Sequence, residues 1–544
     1  MNKIYQNNFF QNFSALFSSL IKEKNVSIDS IVKTALFTTG SETKRARSYS
    51  MLALGLGIGI TASYFILRTL LQRTAILEKR DFSLESNFTI PSIRRENVLK
   101  EKGIQATTPT SSADVAQNGA LCLYSCFEDC VKLDRYSSFA NVKQVWMEAL
   151  STQNFSFFSP RQLFSVGALL GGSVGDALGN PIEFLPWNED GYTCFGEELG
   201  MKPGELVGFR TTTQMDIEKA KDSMKGTDWK VVPMQPGQFT DDTSMMWCVA
   251  DHLLQFGKID GTQLMWSFFD WYYFGYNNTF TDDEKHKASN VSIGVGGIVK
   301  VEIASFKMDI MDGRQIRSSK GAYVAREGDN NTSGNGSLMR NGPVAIFARS
   351  REEALQAAWE QSMVTHKGVE AAGCCQLMAF LIYEALENKN PNPQQRKSEI
   401  FASLTKFTCK DVPTVEHLAQ SLVSKNFRSR DFENWNWKDN NFAFAKARTK
   451  RDENSSSAGG YAMDALAMAL HCIWTTDTFE AAVHKAVYRG GDADTIGTIT
   501  GQIAGAIYGA CAIPKDWIDA VQQWDRGGEL AGTGILLNHL SGKK

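Results

Sequence analysis

Two pairs of carboxylates, far apart in the chain, sit in nearly the same local setting. In "GQFTDDTSMMWC", Asp241 and Asp242 are adjacent between Thr240 and Thr243 and lead into an apolar segment. In "RGGDADTIGTITGQIAGAIYG", Asp492 and Asp494 precede Thr495 and another apolar segment. Like charges this close repel, so each pair needs something that offsets the cost. Helix capping is one answer, because Thr240, Asp241, Asp242, Thr243 and Ser244 can all serve the exposed N–H groups and positive dipole end of a helix. A bound cation is the other. Oxygen-only donors suit a hard cation such as Mg²⁺ or Mn²⁺ and not zinc, which prefers nitrogen and sulfur. The whole set exceeds what one magnesium takes from protein, so two ions are the natural count.

These acids stand at the ends of two glycine ladders. Gly167, Gly171, Gly175 and Gly179 recur every four residues in "LFSVGALLGGSVGDALGNPIEF", as do Gly497, Gly501, Gly505 and Gly509 in the second segment. Glycine inside a helix costs roughly 1 kcal/mol relative to alanine, so each ladder implies a helix face that admits another backbone closely. The uncharged run of the second ladder also fits a membrane dimer motif, although Gln502 and its threonines favour a buried soluble helix. Asp176 and Glu183 lie toward the C-terminal end of the first ladder, which places carboxylates at three helix termini.

Strand-like alternation is scarce from Pro160 onward, and apolar helical segments alternate with Gly-rich corners, so an all-α multi-helix domain is expected over 160–544. Three shorter regions precede it: a polar or amphipathic segment 1–50, an apolar helix 51–71, and a linker with short helices over 72–159. Met51 to Leu67 carries no charged residue and follows Lys44, Arg45 and Arg47. Its length is marginal for a bilayer span, and a buried or partner-docking helix is the competing reading. Two polar tracts, "ENKNPNPQQRKSE" and "KARTKRDENSSSAGG", are expected as surface loops, with the aromatic "NWNWKDNNFAF" between them as a local packing loop. The formal charge of −3 gives no case for a nucleic-acid partner. None of the 10 cysteines forms a C-x-x-C pair, which excludes an obvious zinc site or secreted disulfide framework and suggests a reducing compartment. Cys122, Cys126 and Cys130 share one helical face, read as a plain face more readily than as a metal or acylation cluster.

The ordered segments "GALLGGSVGDALGNPIEF", "PGQFTDDTSM", "SGNGSLMRNGPVAIF", "THKGVEAAGCC", "GYAMDAL" and "RGGDADTIGTITGQIAGAIYG" resemble the ADP-ribosylglycohydrolases of the dinitrogenase reductase-activating type. The likeness runs from about Pro160 to the C-terminus. It implies an all-α domain with a dinuclear Mg²⁺ or Mn²⁺ centre that hydrolyses the bond between ADP-ribose and an acceptor side chain, arginine or a related linkage. Carried over by position, Thr240, Asp241, Asp242, Asp492, Asp494 and Thr495 would be metal ligands, and Glu183 would act near the scissile bond. Gly334, Asn335, Gly336 and Ser337 would contact ADP-ribose, with His366 near the diphosphate ribose and Tyr461 stacked on adenine. Read without the family, Asn335-Gly336 is a turn signal, His366 a polar residue at a helix start, and Tyr461 a core tyrosine. Where many members carry an acidic D-I-G, this chain has "NVSIGVGG" with Ser292, which puts recognition of a cationic leaving group in doubt.

The sequence therefore points to a hydrolase acting on an ADP-ribosylated protein or an ADP-ribose-containing small molecule. Residues 51–71 would tether it to a membrane with the catalytic domain in a cytosol-like compartment; a soluble cytoplasmic protein is the alternative. A catalytically inactive ADP-ribose-binding or regulatory module is the competing class, since folds outlive their chemistry.

Overall fold

The computed structural model describes residues 139–183, 187, 234–279, 292, 294–311, 318–319, 322–325, 333–423, 435–442 and 458–542. All of them fall in the compact unit Thr89–Lys544. The expected segments 1–50 and 51–71, most of 72–159, and Cys122, Cys126 and Cys130 lie outside the described residues.

The domain is helical. In chain order its helices are α1 (Phe139–Thr152), α2 (Pro160–Gly179), α3 (Asp241–Phe256), α4 (Gly261–Phe274), α5 (Gly297–Met311), α6 (Gly342–Phe347), α7 (Arg351–Met363) and α8 (Val369–Glu387). They continue with α9 (Pro393–Ser403), α10 (Pro413–Ala419), α11 (Ala462–Trp474), α12 (Phe479–Val487), α13 (Ala493–Tyr508), α14 (Lys515–Gln522) and α15 (Glu529–Leu540). Extended pairing among the described residues is limited to a two-residue antiparallel ladder, Ser318–Ser319 with Ala322–Tyr323, and an isolated bridge between Gly334 and Tyr461.

The two glycine ladders are partners. Helix α2 starts at a capping box, where Ser159 accepts from the Gln162 backbone N–H and the Gln162 side chain accepts in return, with Pro160 in the first turn. Helix α13 runs antiparallel against it. A Cβ on Gly167, Gly171 or Gly175 would come within 3.0 Å of the carbonyl oxygens of Gly505, Gly501 and Gly497 respectively, closer than real Cβ atoms stand. The reciprocal positions Gly497, Gly501 and Gly505 are blocked by the backbone of α2 in the same way. Backbone approach on this scale is open only to glycine, and every residue of α13 is buried. The second ladder is thus a buried helix packed on the first.

Helix α8 is long and apolar enough to cross a membrane, but 83% of its most apolar window is buried inside the protein. It supplies core residues from Ala371 to Leu386 in one apolar cluster with α2, α3, α11 and α13. Helix α1 joins the same core through Val142, Val145, Trp146, Ala149 and Leu150.

One expected loop is largely a helix. Of "ENKNPNPQQRKSE", the stretch from Pro393 forms α9, whose N-cap Asn392 accepts from the backbone N–H groups of Gln394 and Gln395. The polar composition misleads because Arg396 and Lys397 point inward. Arg396 donates to the Ile507 carbonyl (2.5 Å) near the end of α13, over the ring of Phe164. Lys397 donates to the Thr476 carbonyl (2.5 Å), just beyond α11. Cations at helix C-termini satisfy orphan carbonyls and complement the dipole, which is a packing role that composition hides. The aromatic loop packs as expected, with Trp435 and Trp437 buried and Trp437 Nε1 donating to the Leu418 carbonyl (2.7 Å).

Candidate active site

The antiparallel glycine contact sets the site, because it brings the C-terminal end of α2 beside the N-terminal end of α13. A Cβ on Gly179 would collide with the backbone of Ala493 and Asp494. Beyond α2, one 3₁₀ turn (Asn180–Ile182) delivers Glu183 to the same place. Carboxylate oxygens of Glu183, Asp492 and Asp494 lie within 4.8 Å of one another. Residues more than 300 positions apart thus share one point because glycine lets two helices touch.

Helix α3 adds the remaining acids. Its N-cap Thr240 makes no capping bond of its own. Instead Asp176, on α2, accepts from the backbone N–H groups of Thr240 (3.1 Å) and Thr243 (3.0 Å) and from their hydroxyls (2.9 and 2.7 Å). The capping is real, but a carboxylate from another helix performs it. Asp241 and Asp242, the first two residues of α3, are both buried beside it. The Thr495 hydroxyl reaches Asp242 Oδ2 at 3.4 Å, which joins the two acid pairs.

The acids are electrostatically costly as they stand. Burial pushes the carboxyls of Glu183, Asp241, Asp242 and Asp494 well above the usual range, and neighbouring carboxylates raise each of them further. Asp176 is raised only to about 6, because its hydrogen bonds to Thr240 and Thr243 oppose the burial. Asp242 Oδ1 is buried and has no hydrogen-bond partner among the described residues. An all-oxygen donor set with an orphaned buried carboxylate oxygen fits a hard divalent cation. Gly294, at φ +90°, lies so close over Asp241 Oδ1 that a Cβ there would overlap it. The neighbouring Ser292 is buried, and its hydroxyl donates to the Trp271 carbonyl at 3.1 Å.

The Gly334–Ser337 loop closes the other side. Asn335 ties it to the acids: its amide donates to Asp492 Oδ2 (2.7 Å) and to the Gly459 carbonyl (2.9 Å), while its backbone N–H donates to the Gly460 carbonyl (3.1 Å). Gly334 and Gly336 face His366: a Cβ on Gly336 would press against the imidazole (3.1 Å), and one on Gly334 would stand 3.5 Å from Nε2. Ser337 turns away from this surface. It is fully buried, and its hydroxyl pairs with that of Ser362 at 2.8 Å. Tyr461 is half-buried beside the loop, bridged to Gly334, with its hydroxyl on Glu370 Oε2. Asn335 thus links the loop to the acids, His366 lies against Gly336, and the Ser337 side chain faces Ser362 instead.

Several supports escaped the sequence reading. Asp176 was visible only as an acid at the end of a ladder, and Gly294 only as part of a Gly-rich corner. Arg340 and Gln361, fully buried behind the loop, carry no local signal at all. Gln361 donates to the Ser337 carbonyl (2.8 Å) and to Asn341 Oδ1 (3.1 Å), which holds the loop from below.

A helical domain whose carboxylates gather at three helix termini, facing a glycine loop, has the makings of a hydrolytic site. The chain belongs to the ADP-ribosylglycohydrolase family, whose model matches residues 164–543, and it is a glycohydrolase enzyme. It is similar to the ADP-ribosylarginine hydrolase Tri1 of Serratia proteamaculans (strain 568), 27% identical over 366 residues, which span 67% of this chain and 77% of that protein. The protein of the same name from Pseudomonas putida (strain GB-1) is 28% identical over 359 residues, 65% of this chain and 73% of that one. The ADP-ribosyl-[dinitrogen reductase] glycohydrolase of Rhodospirillum rubrum is 25% identical over 356 residues, 65% of this chain and 88% of that protein.

Proposed function

We propose that this chain removes ADP-ribose from ADP-ribosylated arginine side chains in a reaction dependent on two divalent cations, Mg²⁺ or Mn²⁺. The observation that carries the reading is the convergence of Glu183, Asp492 and Asp494 within 4.8 Å of one another, with Asp242 joined to them through Thr495. Thr240, Asp241, Asp242, Asp492, Asp494 and Thr495 are the groups that would hold the cations. When bound, the cations supply Lewis-acid polarisation of ribose or water oxygens. The similarity to two proteins named ADP-ribosylarginine hydrolase supports the choice of linkage.

The residues of the chain do the rest. Hydrolysis breaks the bond from the anomeric carbon to the acceptor nitrogen and forms one to a water oxygen, so a proton leaves water and one reaches the acceptor. Glu183, half-buried at the edge of the cluster, would move that proton. The backbone of Gly334 to Gly336 would receive the diphosphate, His366 would donate to it or to the adjoining ribose, and Tyr461 would stack on adenine. Ser337 would act through its buried hydroxyl, as an anchor of the loop. With Ser292 turned toward Trp271, the nearby loop offers no carboxylate at that position to the departing guanidinium.

In this reading the catalytic domain occupies 160–544, with α1 packed onto it, and the N-terminal extension tethers it to a membrane. The apolar composition of residues 51–71 supports the tether, and the free cysteines Cys248, Cys374, Cys375, Cys409, Cys472 and Cys511 support a reducing compartment. The test is to incubate the purified protein and its Asp494→Ala variant with Mg²⁺ and peptides ADP-ribosylated on arginine, serine or an ester, scoring release by mass. Release from arginine by the parent alone is expected. Binding of ADP-ribose without release from any peptide would restore the inactive-module reading, and release unaffected by Asp494→Ala would remove the cation site.

A further inference from the structure

Arg340, Thr365 and His366 form a relay behind the Gly334–Ser337 loop. All three side chains are at most 1% exposed. Arg340 lies with its guanidinium carbon 4.3 Å from the ring centre of Phe268, and donates through Nε to Gln361 Oε1 (3.0 Å) and through Nη2 to the Gln361 carbonyl (3.0 Å). The same Nη2 donates to Thr365 Oγ1 at 2.8 Å. Thr365 Oγ1 in turn stands 2.8 Å from His366 Nδ1. The other ring nitrogen, Nε2, is the one nearest Gly334 and Gly336.

The hydrogens along this relay follow from the donor inventory. A guanidinium can only donate, so Thr365 Oγ1 accepts from Arg340. Among the described residues the other partner of that hydroxyl is His366 Nδ1. If Nδ1 carried the ring hydrogen, Thr365 would accept twice and its own buried hydrogen would have no acceptor, an arrangement that buried polar groups avoid. If Nδ1 is bare, the hydroxyl donates to it, and the ring hydrogen sits on Nε2, toward Gly334 and Gly336, where a ligand of the loop can accept it. Burial and the Arg340 charge also hold His366 far below the usual imidazole range, at about 3, so the ring is neutral and its tautomer is the open question.

We propose that Arg340 and Thr365 are positioning residues that fix His366 as the Nε2–H tautomer, so that the imidazole presents an N–H donor to the ligand of the Gly334–Ser337 loop. The assignment of that ligand as ADP-ribose rests on the function proposed above. A neutral donor suits the place: it can hydrogen-bond a diphosphate or ribose oxygen at any pH where the carboxylates work, and it adds no second positive charge beside Arg340. The tautomer makes the same ring a donor where the opposite one would present a lone pair and repel an anion.

The test is side-chain ¹⁵N NMR on full-length protein labelled at histidine, with the His366 signals identified by their loss in His366→Asn, together with calorimetric titration of ADP-ribose at constant Mg²⁺. The parent should show a protonated Nε2 and a bare Nδ1. Thr365→Val, close to isosteric but without the hydroxyl, should shift the ring toward Nδ1–H and weaken ADP-ribose binding by about tenfold. Thr365→Ser should restore both. A parent ring protonated on Nδ1, or a tautomer unmoved by Thr365→Val, overturns the proposal, and the parent spectrum decides this even if Thr365→Val fails to fold. A parent that shows the Nε2–H tautomer yet binds no ADP-ribose overturns the ligand assignment alone.

Discussion

Replacing Gly175 by alanine isolates the contact that builds the site. In a free helix the change would stabilise by roughly 1 kcal/mol, since glycine is the poorer helix former. Here the added methyl would lie within 3.0 Å of the Gly497 carbonyl oxygen, carbonyl carbon and the Thr498 nitrogen, where ordinary contact begins at 3.4 Å. Each of these is main chain, so no side chain can swing aside. The helices must open by about 1 Å, enough to forfeit a quarter to a half of the local dispersion contact. Overpacking of this kind costs about 1–3 kcal/mol, so the net effect is a loss of up to about 2 kcal/mol against the helix-propensity gain. Opening the pair also carries Asp492 and Asp494 away from Glu183, and a misplacement of about 1 Å can cost on the order of 10²-fold in rate. The assays are calorimetric melting and release of ADP-ribose from an arginine-modified peptide. Gly296→Ala serves as the control, since a Cβ there meets nothing within 4 Å. A Gly175→Ala protein that melts no lower than its parent and turns over at the parent rate would refute the argument that this contact positions the acids.

Three further outcomes follow from the same geometry. Asp176→Asn keeps the size of the side chain but replaces one acceptor oxygen by a donor, so that whichever way the amide turns at least one threonine N–H or hydroxyl hydrogen loses its acceptor; melting should show a loss of about 1–3 kcal/mol, and Mg²⁺ binding should weaken because Asp241 and Asp242 lose their support. Gly294→Ala puts a methyl on the Asp241 carboxylate at a positive φ, and should lower Mg²⁺ affinity in a titration as well as the metal-free melting temperature, the latter by a backbone strain of about 1–2 kcal/mol. Asp525 caps α15 by accepting from the N–H groups of Gly528 (2.6 Å) and Leu530 (3.1 Å), yet burial raises its carboxyl from 3.8 to about 7. A raised carboxyl contributes stability that is complete below pH 3.8 and is lost as the pH rises through about 7. Melting followed across that window in chelator should therefore show a shallower decline for Asp525→Asn than for the parent; parallel profiles would exclude Asp525 as the source.

Much of the site was legible in the sequence because its signals are local. Paired acids before an apolar run, and glycines at every fourth position, mark helix termini and close-packed faces without reference to anything distant. The helical class is legible for the same reason. What the sequence left undetermined depends on partners chosen in three dimensions. Nothing in "SVGDALG" says that Asp176 will cap a helix that begins at Asp241. Ser337 lies between site residues in the chain, but the helical turn aims its hydroxyl at Ser362 in the core. Arg396 and Lys397 look like loop residues until two helix C-termini are found beneath them.

The sequence by itself determined that there are two glycine-faced helices with carboxylates at their ends, because a four-residue repeat fixes one side of a helix wherever that helix lies. The tertiary structure alone decided that the two faces meet each other, antiparallel, so that the end of one helix and the start of the other coincide. The physical reason is range: periodicity specifies a surface, whereas the close approach of Gly175 to Gly497 exists only once the rest of the core has folded around both.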